Sequence, residues 1–536
     1  MTLRRHRALA VVLLALYFAA AVHMAFALPA HAAPNELLNF EYVQVMRQIR
    51  GLPNRGLVDS QVRYTEWHQP PLYFAWAALY GLALPVPPAA TNPPPPIAWP
   101  ANPHYLSTPR GNLNPVVHVG PGNTPLLYTS RVAAALLGVL GVAALYAAGR
   151  RAYGPAVGLL MASILAFQPT FLHLSGAANN DMPLTAMAAV VMSYAVLVGQ
   201  EISRQDAKSA KPRGVLGLAF LASWRELLSF FLLGLLGAAA ILTKANGVFV
   251  LVFPAVLLVA HLWRYRRPGR TLLAAAAVAA GLLPLWAGWL WLNTVRMRDT
   301  LGVAGSLPVG RVLGLGPLDF GHVAPFLPAV WRSYWLDWSA GDVGYGPDWL
   351  YGLWLVAVIG MLLGWLKPIR NYELGIRNQE EEPRAKSAKH AKFSSWRAWR
   401  SSRPWREHSS SSPWPLTAMV LLAFLAISYL YFAVKALTVK EAGWMVPEAR
   451  WWLPGLPMLA WLLAAGYARW WSPRRREAAC LAAAAVPPLI VAALLAFHLP
   501  ALYPTAERLA AAPAPAAAPL AFGDALGFPA LFHRAF

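Results

Sequence analysis

Five short polar motifs interrupt a chain that is otherwise largely apolar, and their residue types are those that move protons and hold anions. The first reads Pro34-Asn35-Glu36-Leu37-Leu38-Asn39-Phe40-Glu41-Tyr42 and the second Glu66-Trp67-His68-Gln69-Pro70-Pro71-Leu72-Tyr73. The others are Ala178-Asn179-Asn180-Asp181, Thr243-Lys244 and Glu448-Ala449-Arg450. The carboxylates of Glu36 and Asp181 can accept a proton or position the group that does. Lys244 and Arg450 can pair an anionic oxygen, Arg450 with two parallel donors. Asn35, Tyr42, His68 and Asn180 stand beside them as candidate substrate-binding groups.

Each residue also has a plainer reading. Glu36 can serve as a helix N-terminal charge, Asp181 as a cap, Lys244 as a snorkelling side chain and Arg450 as the structural partner of Glu448. His68 can be a hydrogen-bonded residue at a helix start rather than a ligand. Glu41 and Glu66 read as solvated. Trp331 to Trp338 can stack on a sugar ring, but an aromatic belt at the membrane interface is the favoured reading.

The elements that must position these motifs follow from composition. Of 536 residues 57% are hydrophobic and 13% charged, against about a quarter charged in ordinary globular chains. The apolar excess lies in runs near the ~20 residues that a helix needs to cross ~30 Å of hydrocarbon. An alternating strand pattern is missing, so a membrane barrel is excluded. The single cysteine, Cys480, rules out an internal disulfide and a thiolate zinc cluster.

Candidate spans are 8–28, 126–148, 155–173, 182–199, 227–242, 247–262, 271–292, 347–366, 415–437, 452–468 and 477–499. The chain therefore reads as an all-α polytopic membrane protein with about 11 transmembrane helices (range 10–13). Ala30-His31-Ala32 resembles a signal-peptide cleavage site, but the preceding apolar run exceeds a signal's usual 7 to 15 residues, favouring an uncleaved first span. The run from Pro70 to Leu84 is too short to span and reads as a juxtamembrane or half-inserted helix.

A cytoplasmic N-terminus places most of the 45 Lys and Arg residues, and nearly all of the net +22, on inner segments. The charge thus marks orientation, and a nucleic-acid partner is not needed to explain it. The resulting plan is a first helix at 1–28, an extracytoplasmic loop at 29–125, a bundle at 126–292 and a second outer loop at 293–346. A helix at 347–366, a basic cytoplasmic loop at 367–414, further helices at 415–499 and an Ala/Pro-rich tail at 500–536 complete it.

In the first outer loop, residues 34–50 form an amphipathic helix, whereas 85–125, with 13 prolines, cannot be regular. Residues 379–413 read as an anionic-lipid-binding or partly disordered segment. No P-loop, nucleophile elbow, zinc-binding HExxH or dinucleotide fingerprint occurs, which removes ATP-driven pumps and serine hydrolases. Five polar motifs on one membrane face instead suggest a functional cleft, because charges at membrane depth usually face a cavity or partner.

The order of a first span, an acidic motif, His68-Gln69-Pro70-Pro71-Leu72-Tyr73-Phe74, Asn179-Asn180-Asp181, Thr243-Lys244 and Arg450 before a span containing Leu453-Pro454-Gly455-Leu456-Pro457 resembles the multi-spanning C-type (GT-C) glycosyltransferases. The similarity is to family 39, the protein mannosyltransferase and aminoarabinose-transferase type. It covers about 8–262 well and 440–470 moderately.

It implies transfer of a sugar from a polyprenyl-phosphate donor to a protein, lipid or polysaccharide acceptor at the extracytoplasmic face of the cell membrane, among membrane lipids and without nucleic acid. The family usually has Asp-Glu, commonly followed by His, in the first loop. Here the matching residues are Asn35, Glu36 and Asn39. The change at Asn35 moves the expected base to Glu36, with Asp181 positioning it or sharing a divalent metal cation with it.

That reaction suits the residues. Transfer to a hydroxyl needs a carboxylate near the acceptor proton and cations at the leaving phosphate. Lys244 and Arg450 can supply the latter. ATP is not needed, since phosphate is already a good leaving group. Two rivals stand beside this reading: a transporter or flippase of lipid-linked sugars, which predicts midplane charges and repeated halves, and a catalytically inactive relative.

Overall fold

Backbone N–H and C=O groups in hydrocarbon must find partners within their own segment, so apolar runs without breakers fold as helices. The computed structural model describes residues 2–28, 33, 36–54, 67, 69–84, 124–209, 216–266, 268–297, 331–332, 334–336, 348–366, 420–425, 427–428 and 449–499. Among these no strand occurs. Eight helices are long and apolar enough to cross a membrane, and a ninth span is formed if one bent pair is counted. The all-α polytopic expectation is met.

The helices are α1 (Leu3–Ala27), α2 (Glu36–Ile49), α3 (Leu72–Tyr80), α4 (Thr124–Tyr153), α5 (Pro155–Ala166), α6 (Pro169–Ser175) and α7 (Asp181–Ser209). After them come α8 (Leu216–Thr243), a 3-10 segment (Ala245–Leu251), α9 (Val252–Tyr265) and α10 (Pro268–Met297). The chain then resumes with α11 (Asp348–Leu363), a second 3-10 segment (Ala449–Gly455), α12 (Leu456–Arg469) and α13 (Pro473–Ala493).

Three expectations are refined. The span expected at 155–173 is the bent pair α5 and α6, which meet at 65°. The cause is local: Pro169 cannot continue the hydrogen-bond ladder, and the Gln168 side chain accepts the Phe171 N–H to start α6 afresh. The span at 452–468 is a 3-10 turn followed by only 14 residues of α12. The inner segment expected at 200–226 is largely helical, since α7 continues to Ser209 before Pro212 can stop it. Most of the span at 415–437, the cytoplasmic loop, the residues 85–123 of the Pro-rich stretch and the tail lie outside the described residues.

Both juxtamembrane helices form. The first-loop helix is α2, and the Pro70–Leu84 run gives the nine-residue α3, roughly 13 Å long and unable to span. They pack together through Tyr42 stacked on Phe74 at 4.2 Å. Trp76 Nε1 then pins α3 to α4 by donating to the Ala133 carbonyl at 2.9 Å.

Within the bundle, small residues let backbones approach closely. A Cβ on Gly141 of α4 would lie 2.7 Å from the Ala186 Cα of α7. Gly281 of α10 faces the Phe231 carbonyl of α8, and Gly466 of α12 faces that of Met361 in α11.

Charged groups collect at the two ends of the bundle. One end carries Glu226, which accepts from His261 Nε2 at 2.8 Å and from Arg270, and holds His6 3.4 Å from Glu477. The other end carries the candidate site. There two residues of the stretch expected to be an aromatic belt are buried in packing: Trp335 stacks on Trp354 at 5.4 Å, and Tyr334 lies against Trp452 at 4.8 Å, while Ser333, Asp337 and Trp338 lie outside the described residues. The physical reason is that the bent α5–α6 connection reaches this segment, with Gln168 Nε2 donating to the Tyr334 carbonyl.

Candidate active site

Glu36 opens α2, and its side chain points into the bundle rather than toward water. Its carboxylate accepts a two-pronged contact from Arg131 of α4, Nε to Oε1 at 2.8 Å and Nη2 to Oε2 at 2.7 Å. The Ala178 N–H donates to Oε1 as well, at 2.8 Å. Arg131 spends its remaining arm on the carbonyls at the end of α1, with Nη1 2.6 Å from Ala25 O and 2.8 Å from Leu28 O. Both side chains are fully buried. One ion pair therefore ties α1, α2, α4 and the turn before α7.

That turn holds the next carboxylate. Asn179 Oδ1 accepts from the backbone N–H of Asp181 at 2.9 Å and of Met182 at 3.2 Å, so Asn179 caps α7. Asp181 is thereby relieved of the capping role that its position suggested. Its Oδ1 instead accepts from Lys244 Nζ at 2.6 Å.

Lys244 stands where α8 ends, before the 3-10 segment at Ala245–Leu251. An extended side chain there would snorkel to water, yet Lys244 turns inward and is only 7% exposed. Ala178 and Asp181 belong to one turn, so the Glu36 and Asp181 contacts meet at the same place.

The remaining sequence-predicted residues divide. Tyr42 is buried on α2, donates to the Gln69 carbonyl at 3.3 Å and lies beside Arg296. Burial raises its hydroxyl pKa, against the opposing pull of the Arg296 charge. Asn180 is buried between Asn179 and Asp181. Asn35, His68 and Glu66 lie outside the described residues, and for Arg450 only the backbone is described, at the start of the 3-10 segment Ala449–Gly455. That segment packs against α7, the helix that Asp181 opens. Glu41, expected to be solvated, is half-buried, because α2 lies on the bundle with α3 against it.

Sequence reasoning passed over Arg131 and Arg296. The signal for Arg131 is a cation set well inside the apolar run Pro125–Tyr153, far from the Arg150-Arg151 pair at its end, a type of residue that is costly in hydrocarbon and usually partnered. Arg296, near the end of α10, gathers the first loop: Nη1 reaches Pro53 O at 2.5 Å, and Nη2 reaches Trp67 O at 2.9 Å and Asn293 Oδ1 at 3.0 Å. Arg47 does the same for α3, donating to the carbonyls of Gly81 and, at 2.9 Å, Leu84. Among the described residues no group of three or more His, Cys, Asp or Glu side chains comes together as a metal site.

Residues 127–209 match the family described as dolichyl-phosphate-mannose-protein mannosyltransferase. This is the type that the motif order resembles, and the matched stretch contains Arg131 and the Asn179-Asn180-Asp181 turn. No curated protein matches the chain. Among solved structures it is similar to ArnT from Cupriavidus metallidurans bound to undecaprenyl phosphate, with 14% identity and a TM-score of 0.36 over 92% of this chain and 80% of that one. It is also similar to the Archaeoglobus fulgidus oligosaccharyltransferase in the apo form, with 12% identity and a TM-score of 0.41 over 91% of this chain and 56% of that one. Likeness at this level assigns no chemistry.

Proposed function

We propose that the protein is a membrane glycosyltransferase that moves a sugar from a polyprenyl-phosphate donor to an acceptor hydroxyl at the extracytoplasmic face of the cell membrane. The observation that carries this reading is the buried contact between Asp181 and Lys244, 2.6 Å apart, in the turn that closes on the Glu36–Arg131 pair. A carboxylate and an ammonium in one site are the two charges that the reaction needs. The family match over 127–209 supports the reaction type, and the positive-inside pattern supports the face.

In this proposal the donor phosphate draws Lys244 away from Asp181. The freed carboxylate takes the proton from the acceptor hydroxyl as its oxygen bonds the anomeric carbon and the bond from that carbon to the phosphate oxygen breaks. Lys244 and Arg450 stabilise the charge that grows on the leaving phosphate.

The base role expected of Glu36 passes to Asp181, because Glu36 is already committed to Arg131 and Ala178. Glu36 holds α2 over the site instead. A divalent cation shared by Glu36 and Asp181 would have to displace both Arg131 and Lys244.

Purified protein in liposomes, offered a panel of radiolabelled polyprenyl-phosphate sugars and hydroxyl acceptors, tests the reading. Label moving from lipid to acceptor supports it. Labelled lipid crossing the bilayer with its sugar intact would favour a transporter instead.

A further inference from the structure

Arginines crowd the end of the bundle that lies away from the candidate site. α1 and α13 both start there, and both pack on α5. His6 Nε2 of α1 lies 3.4 Å from Glu477 Oε1 of α13, which sets the two helix starts side by side. Arg4, Arg5 and Arg7 flank His6 in sequence, and Arg474 stands one turn before Glu477, so those two project from the same side of α13. Six arginines, with Arg475 and Arg476 counted, thus gather at one carboxylate. Arg476 donates to the Ala468 carbonyl at 3.1 Å. The other five are exposed and, among the described residues, form no ion pair.

Three features say what this cluster would hold. Helix starts are the positive ends of their dipoles and favour acids, yet neither α1 nor α13 has an acidic residue in its first turn or a side-chain cap. His6 is 2% exposed and its Nδ1 lies 3.1 Å from the Thr2 carbonyl, but Nε2, although close to Glu477, makes no hydrogen bond. Buried polar atoms nearly always have partners, so this nitrogen calls for one. A carbonyl only accepts, so Nδ1 carries a proton, and the charged ring offers Nε2–H to an anion. Arg5, Leu9, Val12 and Leu16 then share one exposed stripe of α1, so that apolar side chains begin one turn, about 6 Å, from Arg5. Cations at the head of a lipid-facing stripe stand at headgroup depth. The positive-inside pattern accounts for arginines on this face, but not for their gathering around a buried imidazole with an idle nitrogen.

We propose that the starts of α1 and α13 bind the phosphate headgroup of an anionic bilayer phospholipid, with Arg4, Arg5, Arg7 and Arg474 around the phosphate and His6 Nε2 beneath it. The acyl chains lie on Leu9, Val12 and Leu16. The site is at the opposite end of the bundle from Asp181 and Lys244 and does not rest on the transferase reading. By neutralising arginines of both helices, the lipid also fastens α1 to α13.

Binding of fluorescent phosphatidylglycerol to the full-length protein in mixed micelles of phosphatidylcholine and detergent tests this. Binding should saturate, and fluorescent phosphatidylcholine should bind at least about tenfold more weakly. Arg5→Gln and Arg474→Gln should each weaken phosphatidylglycerol about fivefold. Arg225→Gln, which removes an exposed arginine of α8 at the same end of the bundle, should change nothing. All three substituted side chains are exposed, so the variants keep the wild-type fold. Soluble glycerol phosphate should not displace the lipid, because it has no chains to lay on the α1 stripe.

Equal affinity for the two lipids would overturn the site. So would a loss in Arg225→Gln as large as in Arg5→Gln, which would reduce the attraction to surface charge in general. Full displacement by glycerol phosphate would overturn it as well, leaving a site for free phosphate rather than for a lipid.

Discussion

The ammonium of Lys244 and the carboxylate of Asp181 meet at 2.6 Å with 63 positions between them in sequence, each side chain more than nine-tenths buried. A buried pair of this kind contributes little net stability while intact, but breaking it leaves a charge without a partner. Asp181→Asn and Lys244→Met are therefore each expected to lower stability by about 3–5 kcal/mol. The double variant should lie well above the sum of the two losses. Thermal unfolding in detergent checks this, and additive losses would mean that the two charges do not depend on each other.

Glu36→Gln and Arg131→Lys are expected to act on folding before chemistry. Arg131 joins α1 to α2 and the pre-α7 turn through Glu36, and lysine cannot reproduce its two-pronged contact. Both variants should lose about 3–5 kcal/mol and expose the first outer loop to limited proteolysis. Per folded molecule, the pH dependence of transfer should stay that of the wild type. A changed pH profile in Glu36→Gln at full stability would return the base role to Glu36.

The helical membrane class and the two juxtamembrane helices are legible in the chain because they follow from run length and from where proline falls. The pairing of Asp181 with Lys244 is not, because nothing in either motif shows that α8 ends beside the start of α7. Asp181 offered a plainer reading as a cap since it opens a helix, yet Asn179 two residues earlier takes both free N–H groups. Lys244 looked like an interfacial lysine since it ends an apolar run. Glu36 was identified as functional by motif order, but its partner, Arg131, lies 95 positions away across the Pro-rich stretch. Local pattern found Glu36, Asp181 and Lys244 but not Arg131, and only packing decided which charge each one meets.

Gly466→Ala and Gly281→Ala test the close helix crossings. The added methyl would strike the Met361 and Phe231 carbonyls, which are backbone and cannot swing aside. Each should cost about 1–3 kcal/mol, whereas Gly288→Ala, with nothing near it, should be neutral or slightly stabilising. Comparing the three melting temperatures is sufficient.

Alkaline pH should loosen the first outer loop. Burial raises the pKa of Tyr42 and of Tyr73 above the ordinary value of about 10. A group whose folded pKa is raised contributes fully below its unfolded pKa, and that contribution is lost as pH rises above it toward the folded value. Stability should thus be flat on this account up to about pH 10 and fall beyond it. Tyr42→Phe and Tyr73→Phe should reduce the fall, as followed by proteolysis of residues 36–84 against pH.

The most direct measurement is the initial rate of sugar transfer by Asp181→Asn, per folded protein, in liposomes with a polyprenyl-phosphate sugar that the wild type uses. Loss of a general base predicts a drop of about 100-fold or more, with donor binding by Lys244 retained. A rate within about twofold of the wild type would contradict the assignment, since the barrier would then owe less than about 0.5 kcal/mol to Asp181.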